Sequence, residues 1–179
     1  MRLMLVSLLF AVATGANAQT LPLAHPPAAH ASAEIAQASH ALAALWRPLA
    51  AGAATPAALE TACAGAVAEM NALDEAMPDP LTAAGLAGVH PAQGLMFVPA
   101  ADDPTAVFMF PSADLTWFSS GLGAITAANE ATGEVALRDA GGHLVRVVIG
   151  RAAGKAMLRL EIPGGGAPIT YVGCAPTAN

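Results

Sequence analysis

The sequence predicts an α+β domain in which an N-terminal helical hairpin packs on one face of an antiparallel β-sheet, a meander of six to seven strands. Three observations carry that expectation. Residues 133–174 alternate apolar and polar side chains between glycine-bearing turns. Residues 32–51 and 55–77 place apolar residues at three- and four-residue steps. The helical segments precede the strands instead of alternating with them, which favours helices segregated to one face of an antiparallel sheet.

Residues 1–18 read as a secretory signal peptide. Arg2 supplies the charged start, residues 3–12 the apolar centre, and Ala16-Asn17-Ala18 the small-residue cleavage site. The apolar centre is about half the ~20 residues of a spanning helix. No long apolar run follows it, so no membrane span is expected after cleavage. Residues 19–31, with Pro22, Pro26 and Pro27, read as a flexible Pro/Ala-rich leader, and residues 32–179 as a single domain. The expected location is the periplasm or the extracellular medium.

In residues 32–51, Ser32 fits an N-cap, and Ile35, Leu42, Leu45, Trp46 and Leu49 form an apolar stripe. Pro48 and Gly52 end the segment. In residues 55–77, Thr55 caps, Pro56 takes the first helical position, and Leu59, Cys63, Val67, Met70, Leu73 and Met77 share one face. Pro78 and Pro80 stop this helix, and residues 79–93 read as a connector with a helical turn near 81–86.

Strands are expected across 94–174. Residues 94–99 and 106–111 are short apolar runs, read as a hairpin buried on both faces. Residues 115–119 and 122–127 suggest a second pair around Ser120-Gly121. In 134–138, Val135 and Leu137 point inward. Residues 143–149 send Val145, Val147 and Ile149 inward, and 155–162 send Ala156, Leu158, Leu160 and Ile162 inward. Opposed residues must share a face. Leu137 opposite Val145 requires the loop Ala140-Gly141-Gly142, with Gly142 suited to a left-handed position. Val147 opposite Leu158 requires the four-residue loop Arg151-Ala152-Ala153-Gly154, and that register sets Arg146 against Arg159. Residues 169–174 form the last strand, with either face open to burial.

Removal of residues 1–18 takes away Arg2 and leaves 6 basic against 13 acidic residues, a net charge near −7. That balance excludes general nucleic-acid binding, which needs a basic footprint. The two cysteines, in an exported chain, predict an intrachain disulfide between Cys63 and Cys174. Its loop of about 110 residues would be worth roughly 4–5 kcal/mol in the chain-entropy model.

Five of the six remaining basic residues lie in the hairpin region. Arg146 and Arg159, with Arg138 and Lys155 nearby, form a candidate anion-binding patch, set against the plainer reading of a wet sheet face neutralised by Glu134 and Glu161. His25, His30 and His40 match no compact zinc spacing, so no metal or other cofactor is assigned. Ser119 or Ser120, His143, and Asp114 or Asp139 supply the atoms of a hydrolytic triad. The glycine that precedes the serine in a nucleophile elbow is absent. The expected function is therefore an exported, soluble, non-enzymatic interaction or accessory domain whose partner is an envelope protein. The alternative is an envelope protein that binds a small anionic ligand or a metal. A third reading, a hydrolase, would gain support from His143, a serine and an aspartate meeting in one cleft.

Overall fold

The computed structural model describes residues 33–77, 89–161, 164 and 166–174. The readings of a signal peptide, a leader and a helical turn at 81–86 lie outside those residues. Helix α1 (Ala33–Leu42) leads directly into strand β1 (Ala44–Leu49). Two further helices, α2 (Pro56–Ala62) and α3 (Ala66–Ala76), precede β2 (Leu95–Pro99), β3 (Ala106–Pro111), β4 (Gly121–Asn129), β5 (Glu134–Arg138), β6 (Leu144–Ala152), β7 (Lys155–Glu161) and β8 (Ile169–Cys174). Each strand pairs antiparallel with the next, and β8 pairs with β1, so the eight strands close into a barrel.

The α+β expectation is thereby corrected. There is no helical hairpin on an open sheet, because residues 44–49 are strand and not the second half of a helix. Their composition misleads for a physical reason. Trp46 points into the barrel while Leu45 points out beneath α2 and α3, and both are fully buried. A strand buried on both faces loses the alternation that marks strands. Pairing of β1 with both β2 and β8 then outweighs the helical preference of its alanine and two leucines. Pro48 is tolerated because the β2 ladder ends at the Trp46–Leu95 pair, so no partner on that side needs its missing N–H.

The second predicted helix also divides. Thr55 caps α2 as expected, accepting a hydrogen bond from Ala58 N–H. Gly65 adopts φ 75° and separates α2 from α3. The break rotates the buried stripe, so Ala66 is buried and Val67 is exposed. Together α2 and α3 cover the outer face of β8, β1, β2 and β3, where Leu59, Leu73, Met96, Phe110 and Val172 form a second core.

The first core fills the barrel. Every strand contributes, from Trp46 on β1 through Phe97, Met109, Ile125, Leu137, Val147 and Leu160 to Tyr171 on β8. One end is stoppered by Ala38 and Leu42 of α1. The connection between β3 and β4 packs Leu115 and Phe118 against the same core. Residues 115–119, expected as a strand, are instead turns held by Leu115 N–H to Ser112 O and Phe118 N–H to Leu115 O. The last strand buries both faces, with Tyr171 inside and Val172 and Cys174 outside under the helices.

The expected disulfide is present: Cys63, at the end of α2, is bonded to Cys174 on β8. The β5–β6 register is the expected one, with Leu137 opposite Val145 and Gly142 at φ 86°. The β6–β7 register is not. Val147 faces Leu160, and the turn is the two residues Ala153-Gly154, at φ 48° and 81°. Positive φ at both central positions is the hairpin turn whose twist matches its flanking strands.

Candidate functional site

The register change decides the fate of the arginine pair. Arg146 lies opposite Glu161, and Arg159 lies opposite Val148. Arg159 also donates to Glu161 at 3.3 Å along its own strand. The two arginines are thus diagonal neighbours with an acid between them. Arg138 donates from Nη1 to Gly142 O at 2.9 Å, so its head group closes the β5–β6 loop. Lys155 stands four residues from Arg159 along β7, roughly 13 Å away. The barrel brings Arg146 and Arg159 onto one outer face and leaves Lys155 apart from them. His40 is exposed on α1, while His25 and His30 lie outside the described residues. Among the described residues no group of His, Cys, Asp or Glu is arranged to hold a metal.

A second constellation forms at the end of the barrel where β3 meets β4 and β5 meets β6. The Asp139 carboxylate is fully buried and accepts from Ser119 N–H (2.8 Å), His143 N–H (2.8 Å) and His143 Nδ1 (3.0 Å). Burial alone would push this carboxyl up. The bonds from Ser119 and His143, with the imidazole charge, outweigh burial and hold it below its ordinary range. A carboxylate only accepts, so the proton in this hydrogen bond is carried by His143 Nδ1. The Ser119 side chain is close by: Ser119 Oγ and the His143 ring converge on the space above the Gly141 Cα. Yet Asp139 reaches Ser119 through the backbone amide, not the hydroxyl, and the His143 side chain is 59% exposed. The carboxylate therefore pins two loops together.

A concave feature lies elsewhere. At the opposite end of the barrel, a cleft of about 170 Å³ opens between α1 and the β4–β5 hairpin. Its floor is Ala38, Ala41, Ala128, Val135 and Ile149, and its rim carries Glu34, Glu130 and Glu134. Backbone geometry fixes the hairpin wall. Gly133, at φ 71°, lies so close to β6 that a Cβ would fall 2.1 Å from Ile149 O, and Ile149 N–H donates to Gly133 O at 2.8 Å. Gln37 Nε2 reaches across from α1 to Glu130 Oε1 at 3.1 Å.

Sequence reasoning passed over this cleft. Glu34 and Glu130 lie far apart in the chain, and nothing local joins them. The signal available was the acid spacing around Asn129-Glu130 and Gly133-Glu134, which a four-residue hairpin loop folds back on itself. A scan against protein-family models and searches of curated proteins and solved structures found no match to this chain.

Proposed function

We propose that the chain is a non-enzymatic interaction domain that works outside the cytoplasm, in the periplasm or after secretion. The observation that carries this reading is the filled barrel. An eight-stranded barrel can hold a small ligand or pack its own side chains, and here every strand sends apolar side chains into the interior. Recognition then falls to the outer surface. The Cys63–Cys174 disulfide and the signal-like residues 1–18 support an oxidising compartment. The arrangement at Asp139 supports a structural use of the Asp139–His143 contact, since no hydrogen bond joins the Ser119 hydroxyl to the imidazole.

Two measurements test the reading. Cell fractionation with N-terminal sequencing should find the chain outside the cytoplasm, oxidised and beginning at Gln19. Recovery in the cytoplasm with two free thiols would refute the location. In the second, p-nitrophenyl acetate and p-nitrophenyl phosphate are incubated with the wild type, Ser119→Ala and His143→Ala. All three should give the same background rate, and a wild-type rate that drops 100-fold in His143→Ala would establish an enzyme instead.

A further inference from the structure

We infer that the cleft between α1 and the β4–β5 hairpin receives a lysine or arginine side chain from a protein partner. This rests on the reading of the chain as an interaction domain and names the chemistry of its partner. The cleft is smaller than the ~300–1,000 Å³ of small-molecule pockets, and its size suits a single long side chain. Its alanine, valine and isoleucine floor is apolar, as the methylene stem of lysine or arginine requires. Its rim is acidic, as the charged head requires.

Charge complementarity selects the occupant. Glu34, Glu130 and Glu134 line the cleft and no lysine or arginine is among its lining residues; Arg146 on β6 is the diagonal cross-strand neighbour of Glu134 but forms no ion pair with it. The ion pairs among the described residues are Arg47–Glu69, His143–Asp139 and Arg159–Glu161, and none uses a rim acid. The Gln37 amide that meets Glu130 is neutral and leaves that charge uncompensated. An anionic or purely apolar partner would face three carboxylates that belong to none of these ion pairs, over an apolar floor, whereas a basic side chain satisfies both. The acidic chain as a whole adds attraction at a distance.

The probe is a fluorescein-labelled hexalysine peptide, followed by anisotropy with the complete processed protein. Saturable binding that weakens with salt is expected. Ala41→Trp fills the cleft from an exposed position without changing charge, and it should weaken binding at least 10-fold. Glu34→Gln/Glu130→Gln/Glu134→Gln should do the same. Glu60→Gln/Asp74→Asn/Glu75→Gln removes equal charge from exposed positions on α2 and α3, and it should change affinity less than 2-fold. Circular dichroism checks that each variant is folded. The inference is overturned by absence of saturable binding, by Ala41→Trp binding within 2-fold of the wild type, or by equal losses in the two charge-removal variants. Free cadaverine that binds as tightly as the peptide would assign the cleft to small amines and remove the protein partner. None of these failures touches the ester assay, so the cleft can fall while the interaction-domain reading stands.

Discussion

Asp139 ties together two connections at its end of the barrel. One carboxylate holds the β5–β6 loop through His143 and the β3–β4 connection through Ser119. Its folded carboxyl lies below the unfolded value of about 3.9. The stabilisation it supplies is thus present above that value and lost as the pH falls through the folded one. Asp139→Asn should cost about 1–3 kcal/mol at pH 7, because two backbone donors lose a charged acceptor. Urea unfolding at pH 7 and pH 3 checks this, and the gap between wild type and variant should narrow at pH 3. Tyr171 responds to its surroundings in the opposite sense. Burial, with the nearby Asp114 charge, raises its phenol well above the ordinary value, so it stays neutral inside the barrel.

Among the elements, the β6–β7 hairpin shows how a turn settles a register. Hydrophobic pattern cannot choose between a four-residue and a two-residue loop here, because a shift of two residues keeps every side chain on its own face. The backbone chose the shorter turn, and Ala153 pays for it with φ 48°. A non-glycine residue in the left-handed region costs roughly 1–2 kcal/mol, while asparagine tolerates that region. Ala153→Asn should therefore raise stability by about 0.5–1 kcal/mol, seen as a higher urea midpoint at unchanged slope. β1 teaches the complementary lesson. Its alternation is hidden because Leu45 and Trp46 are both buried, on opposite faces. Trp46 also ties the strand to the helix before it, donating from Nε1 to Leu42 O at 2.8 Å, which satisfies a carbonyl the helix end leaves open.

At the scale of the molecule, the barrel is closed twice. The β1–β8 ladder removes the sheet edges, and the Cys63–Cys174 bond ties α2 to β8 across a separation of 111 residues. The two closures act on different states. The ladder stabilises the native barrel, and the disulfide restricts the unfolded chain, by roughly 4–5 kcal/mol for a loop of this length. Cys63→Ser/Cys174→Ser should lose about that much in urea denaturation, and adding dithiothreitol to the wild type should reproduce the loss. A variant within 1 kcal/mol of the wild type would show that the ladder and the packed interior suffice. The partly buried Arg47–Glu69 pair completes the link from helix to barrel. Arg47 donates to Gln93 O, and Glu69 accepts from Ala92 N–H, which anchors the chain entering β2 to α3.

The sequence by itself determined what depends on neighbours along the chain. The Thr55 cap, the strands from 134 to 161, the β5–β6 register with its left-handed Gly142, and the pairing of the two cysteines were all legible there. Those features follow from capping, period-two patterning, glycine's freedom at positive φ and the presence of only two cysteines to pair. Tertiary structure alone decided that residues 44–49 become a strand, that β8 returns to β1 to close a barrel, and that Glu34, Glu130 and Glu134 gather at one cleft. Each of these joins segments far apart in sequence, where burial and cross-strand pairing outweigh the local preference that periodicity reads.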